Sequence, residues 1–136
     1  MQVTKSNANV VKGLIEAVLD TRFQFRTAET VENLTGFFAA DLIGFADDLG
    51  LDTSKKRRRD GATLIGLGNA DRMELRTLRE IIIALDDVRY TLRSAASITN
   101  KLGNVSAEAV EIVADQFGFT VKHRNSDGAA LIGFGE

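Results

Sequence analysis

Apolar side chains recur at helical spacing along this chain, in two series that mirror each other. Val10, Val11, Leu14 and Val18 form one stripe, with Leu75, Leu78, Ile82 and Leu85 as its counterpart. Leu42, Phe45, Ala46 and Leu49 form another, matched by Val110, Val113, Ala114 and Phe117. Such spacing places each set on one face of an amphipathic helix. Gly50 and Gly118 follow the later stripes, where a left-handed residue ends a helix. Thr27 and Ser94 hold matched N-cap positions for a short intervening helix that stops near Gly36 and Gly103. Asp71, with Glu74 three residues on, reads as the capped start of the second series. Each series closes with a polar stretch, an Asp-Gly pair (Asp60-Gly61, Asp127-Gly128) and an apolar run. Asp-Gly between extended stretches predicts a hairpin.

The mirroring is an internal duplication. Asp60–Gly68 recurs as Asp127–Gly135, with seven identities in nine at an offset of 67. At that offset Ile15, Ala17, Asp20, Arg22, Arg26 and Gly36 meet Ile82, Ala84, Asp87, Arg89, Arg93 and Gly103. Between those blocks the offset is 68, pairing Ala46-Asp47 with Ala114-Asp115. The chain therefore reads as two copies of one unit, residues 1–68 and 69–136.

Three helices and a hairpin in about 67 residues resembles the winged helix-turn-helix unit. The resemblance is one of element order and length, and it covers nearly the whole chain. It implies a mainly α fold with small β-hairpins (α+β), built as two tandem winged-helix-like repeats. Only Gly68-Asn69-Ala70 joins the copies, so the repeats are expected to pack as a pseudo-symmetric pair. Leu64-Ile65 and Leu131-Ile132 place apolar side chains on both faces of the hairpin strands. That predicts a cover for those strands, from the other copy or from a second chain; a homo-oligomer fits this pattern.

Composition narrows the chemistry. Without Cys there are no disulfides, thiolate nucleophiles or thiolate metal sites, and a single His removes His clusters. Asp47-Asp48 and Asp86-Asp87 are adjacent, and neighbours on a helix point about 100° apart, which is poor geometry for a shared proton. A non-enzymatic chain without cofactor or metal is expected. Leu64–Asp71 imitates a dinucleotide-binding turn, but Asp71 stands where the third glycine belongs and there is no room for a parallel sheet. Lys plus Arg number 17 against 19 Asp plus Glu, which excludes a polycation held by bulk charge. No apolar run approaches the ~18–20 residues of a membrane span, and MQVTKSNANV has no signal-peptide core. The expectation is a cytoplasmic protein with no membrane partner.

The sharpest local feature is Lys55-Lys56-Arg57-Arg58-Arg59, immediately before the Asp60-Gly61 turn. Cations at a hairpin tip can displace counterions from phosphates without reading sequence. Lys122 and Arg124, flanking His123, form a weaker matched set. The competing reading of the run is a solvated loop, with Asp41, Asp47, Asp48 and Asp52 nearby to neutralise it. The third helices argue against base reading, because their outward positions are Asp41, Gly44, Asp47 and Asp48, then Glu108, Glu111, Asp115 and Gln116. Arg72, Arg76 and Arg79 share a helical face. The duplicated Arg22/Arg89 and Arg26/Arg93, beside Asp20 and Asp87, read as structural braces, and Phe37, Phe38, Phe45, Phe117 and Phe119 as core. The resulting expectation is a DNA-binding or otherwise nucleic-acid-associated accessory or regulatory protein that grips the phosphate backbone through its basic wing. The alternative is a protein–protein interaction module using the acidic third-helix faces and apolar hairpin strands.

Overall fold

The computed structural model describes residues 1–87 and 89–135. Its elements are α1 (Ala8–Leu19), β1 (Phe25–Thr27), α2 (Ala28–Thr35), α3 (Ala39–Asp48), β2 (Leu64–Gly66), α4 (Arg72–Leu85), β3 (Arg93–Ser94), α5 (Ala95–Leu102), α6 (Ala107–Gln116), β4 (Thr120–His123) and β5 (Ala130–Gly133). Among the described residues these make six helices and two small antiparallel sheets, a mixed α and β fold. No described helix is long and apolar enough to cross a membrane. Two compact units divide the chain: Asn9–Arg72, and Met1–Ala8 together with Met73–Glu136.

In the unit spanning 9–72, the α1 stripe of Val10, Val11, Leu14 and Val18 is buried. Each such side chain contributes about 1.5–3 kcal/mol on leaving water. Thr27 Oγ1 accepts the Thr30 N–H at 3.0 Å and caps α2. The helix ends at Gly36, whose N–H donates to the Glu32 carbonyl. On α3, Leu42, Ala46 and Leu49 are buried while Phe45 is half-buried. β2 pairs antiparallel with β1, setting Phe25 opposite Gly66, Arg26 opposite Ile65 and Thr27 opposite Leu64. The period-two signal cannot reveal β1, because three residues ending at an N-cap show no alternation.

The other unit buries its helical stripes as well, around a three-stranded sheet. Leu75, Leu78, Ile82 and Leu85 of α4 are buried, as are Val110, Val113 and Ala114 of α6. Ser94 Oγ caps α5 by accepting the Ser97 N–H at 3.1 Å, and Ser106 caps α6. β5 is central, with β3 on one side and β4 on the other; Ile132 faces both Arg93 and Val121. Residues 1–8 belong here: Val3 is fully buried and its N–H donates to the Phe117 carbonyl at 2.8 Å.

Two expectations need correction. Ile65 and Ile132 are buried and Leu64 and Leu131 half-buried, so one face of each hairpin strand is covered more completely than the other, where the sequence predicts equal cover. Pairing with β1 and β3 occupies the strand edges that the sequence left open. Phe117 and Phe119 are core residues, whereas Phe38 is 76% exposed, because it sits in extended backbone just before α3 and outside the helical stripe.

Candidate nucleic-acid interface

The first hairpin returns from Leu51 to Leu67 through two isolated bridges, Asp52 with Gly66 and Lys56 with Thr63. The Arg57 N–H donates to the Ala62 carbonyl at 2.9 Å, and the Gly61 N–H donates back to the Arg57 carbonyl at 2.7 Å. That closure needs φ +71° at Gly61, a left-handed conformation that a Cβ would strain. Asp60 completes the turn. Its carboxylate accepts the Ala62 N–H at 3.1 Å and the Arg57 Nε–H at 3.0 Å, with a second bond from Arg57 Nη2.

These bonds split the basic run. The Asp60 carboxyl is held down from 3.8 to about 2, chiefly by the Arg57 side chain and then by the Ala62 N–H. Reciprocally, Asp60 raises the Arg57 pKa, and the Glu29 charge adds to the effect. Lys56 Nζ donates to Thr63 Oγ1 at 2.6 Å across the hairpin. Lys55, Arg58 and Arg59 are exposed and, among the described residues, their side chains make no hydrogen bond or salt bridge, although the charges of Lys55 and Arg59 act on Asp52 and Asp60. Three cations of the five therefore project from the turn with their donors open to a ligand, while two hold the turn together.

The second hairpin builds the same turn from Arg124, Asp127 and Gly128. The Arg124 N–H donates to the Ala129 carbonyl at 2.9 Å, and the Gly128 N–H donates to the Arg124 carbonyl at 2.7 Å. Arg124 donates from Nε at 3.0 Å and from Nη2 at 2.7 Å to Asp127, whose carboxyl is held at about 2 chiefly by that contact. His123 is not a loop residue but the last residue of β4, and its Nε2 lies 3.0 Å from Glu111 Oε1 on α6. Of this set, only the Lys122 side chain is exposed without a hydrogen-bond or ion-pair partner among the described residues.

On the third helices Asp41, Asp47, Asp48, Glu108, Asp115 and Gln116 are exposed and Glu111 is half-buried. Gln116 donates to Glu74 and Asp47 accepts from the Thr53 hydroxyl. Carboxylates on these faces oppose phosphate and leave the major-groove role unfilled. Sequence reasoning missed Ile112, which is 66% exposed next to them. The signal was present, since Ile112 falls off the stripe formed by Val110, Val113, Ala114 and Phe117.

The duplicated arginines are braces. Asp20 accepts Arg22 Nε at 3.0 Å, Arg22 Nη2 at 2.7 Å and Arg26 Nη2 at 2.7 Å, and Arg26 stacks 4.2 Å over the Phe23 ring. The Arg22 side chain, before all else, holds the Asp20 carboxyl well below the usual carboxylate range. Asp87 takes the matched Arg89 bonds at 3.0 and 2.7 Å, with Arg93 at 3.7 Å and stacked on Tyr90. Arg79 pairs with Glu80 at 3.1 Å, while Arg76 is exposed.

Comparison with protein-family models, curated proteins and solved structures finds no match to this chain.

Proposed function

We propose that this chain is a non-enzymatic nucleic-acid accessory protein, a tandem pair of winged-helix-like repeats that grips the phosphate backbone through its first hairpin. The observation that carries this is the exposed set of Lys55 on the hairpin arm and Arg58 and Arg59 at its turn, beside an arginine already satisfied by Asp60. A turn closed by its own hydrogen bonds loses less backbone freedom on binding than a loose loop carrying the same cations. The matched element order, N-caps and Arg–Asp turns of the two units support the repeat assignment. Acidic third helices favour backbone contact over base reading, so affinity should vary little with sequence. The second hairpin contributes less, because only Lys122 is unengaged.

Fluorescence anisotropy with labelled duplex and single-stranded oligonucleotides across a salt series tests the proposal. Binding that weakens steeply with salt and is similar on unrelated sequences supports it; no binding to either probe at low salt overturns it. Neutralising Glu108, Glu111 and Asp115 separates it from the protein-adaptor alternative. The variant should bind nucleic acid slightly more tightly, whereas an adaptor docking through that face would lose its partner.

A further inference from the structure

Glu108, Glu111, Ile112 and Asp115 of α6, with Val121 and His123 of β4, line a groove of about 540 Å³. Its apolar part includes Ile112, left 66% exposed, and Glu108 and Asp115 are exposed carboxylates with no partner among the described residues. The matched face of α3 has no such groove-forming side chain: Gly44 stands at the position of Ile112, by the same offset of 68 that pairs Asp47 with Asp115. The feature is thus particular to α6. An apolar side chain flanked by free carboxylates suits a partner that brings cations on long aliphatic stems.

The chain itself presents such a partner. Arg58 and Arg59 are exposed on the first hairpin with no side-chain hydrogen bond or salt bridge among the described residues, Asp60 acting on Arg59 through charge alone, and each stem could cover Ile112 while its guanidinium takes a carboxylate in two parallel bonds. We propose that the α6–β4 groove receives the basic hairpin of a second copy of this chain. Each copy carries one hairpin and one groove, so two copies can engage reciprocally in a closed dimer or pass head-to-tail into a ring or an open chain. Exposed ion pairs contribute little each, so the association is weak, dispersed by salt and dependent on Ile112. This gives the adaptor alternative a definite partner and does not depend on nucleic-acid binding.

Sedimentation velocity over a protein concentration series, free of nucleic acid, tests the contact. At about 10 mM ionic strength, where the Debye length is ~30 Å, the average sedimentation coefficient should rise with concentration; at ~1 M salt it should fall to the monomer value. R58E/R59E and E108K/D115K should each be monomeric, and an equimolar mixture of the two should associate again, because each reversed surface then meets its complement. I112S should weaken association with the charges unchanged. Circular dichroism and urea midpoints confirm that each variant is folded, since all the altered side chains are exposed. A wild-type protein that stays monomeric at low salt overturns the proposal, as does a mixture of folded variants that fails to associate. Nucleic-acid binding by R58E/R59E is measured separately, and its loss or retention bears only on the phosphate contact.

Discussion

The Arg57 guanidinium donates twice to the carboxylate of Asp60, three residues further along, and so closes the first hairpin with one of its own cations. Arg124 and Asp127 form the same fork in the second hairpin. An arginine in such a fork shapes the loop that displays its neighbours. Arg57→Gln should therefore lower the thermal midpoint and leave most of the phosphate affinity intact. Parallel melting and anisotropy curves check this; a variant that loses affinity as severely as the Lys55/Arg58/Arg59 triple variant would assign Arg57 to the interface instead.

The Arg–Asp pairs make stability depend on acid pH. Asp60, Asp87 and Asp127 have carboxyls held at about 2, and Asp20 is held lower still, against an ordinary 3.8. Groups with depressed folded values stabilise fully above the ordinary value, and that contribution disappears as pH falls through about 2. The urea midpoint should thus decline between about pH 4 and pH 2, less steeply in Asp60→Asn. A midpoint that is flat over that window would show that the pairs do not form in solution.

Residues 1–8 should be required by the unit that holds α6. Val3 is fully buried and its N–H is bonded to Phe117. Val3→Ala should cost about 2 kcal/mol, from two buried methyl groups plus the void they leave. Val3→Asp should cost about 3–5 kcal/mol, as for an uncompensated buried charge. Chemical denaturation reads both, and amide exchange should show the loss of protection at Val3. An unchanged midpoint for Val3→Asp would mean the segment is not docked.

Local turn chemistry gives a further pair of outcomes. Gly61→Ala forces a Cβ into a left-handed position and should cost about 1–2 kcal/mol. Thr27→Ala removes the cap on the Thr30 N–H and should cost about 1 kcal/mol. Denaturation midpoints check both; stabilisation by Gly61→Ala would mean the turn has a different backbone.

The helices were legible because their stripes, caps and terminal glycines agree, as at Thr27 and Gly36 or Ser94 and Gly103. The hairpin turns were legible through Asp-Gly. β1 and β3 were not, since segments of two or three residues gain their structure from pairing with a distant strand. The burial of Val3 was equally hidden, because its partner Phe117 lies more than a hundred residues away in the chain. At the candidate site, the cluster Lys55–Arg59 was plain from the sequence, but its division into braced and open cations was not. That division depends on the Arg57 side chain turning back to Asp60 while Arg58 and Arg59 point away into solvent. The α6–β4 groove needed both His123 and Glu111 to be placed across a helix–strand contact, which no spacing rule encodes.

The slope of log affinity against log salt, measured on duplex DNA for the wild type and for a Lys55/Arg58/Arg59 variant with serine at all three positions, tests the central claim most directly. Three lost phosphate contacts should lower the magnitude of the slope by about 2.7, at ~0.9 per contact, and by a similar amount on unrelated sequences. Wild-type protein that fails to bind at low salt, or a triple variant that binds with the wild-type slope, would contradict it.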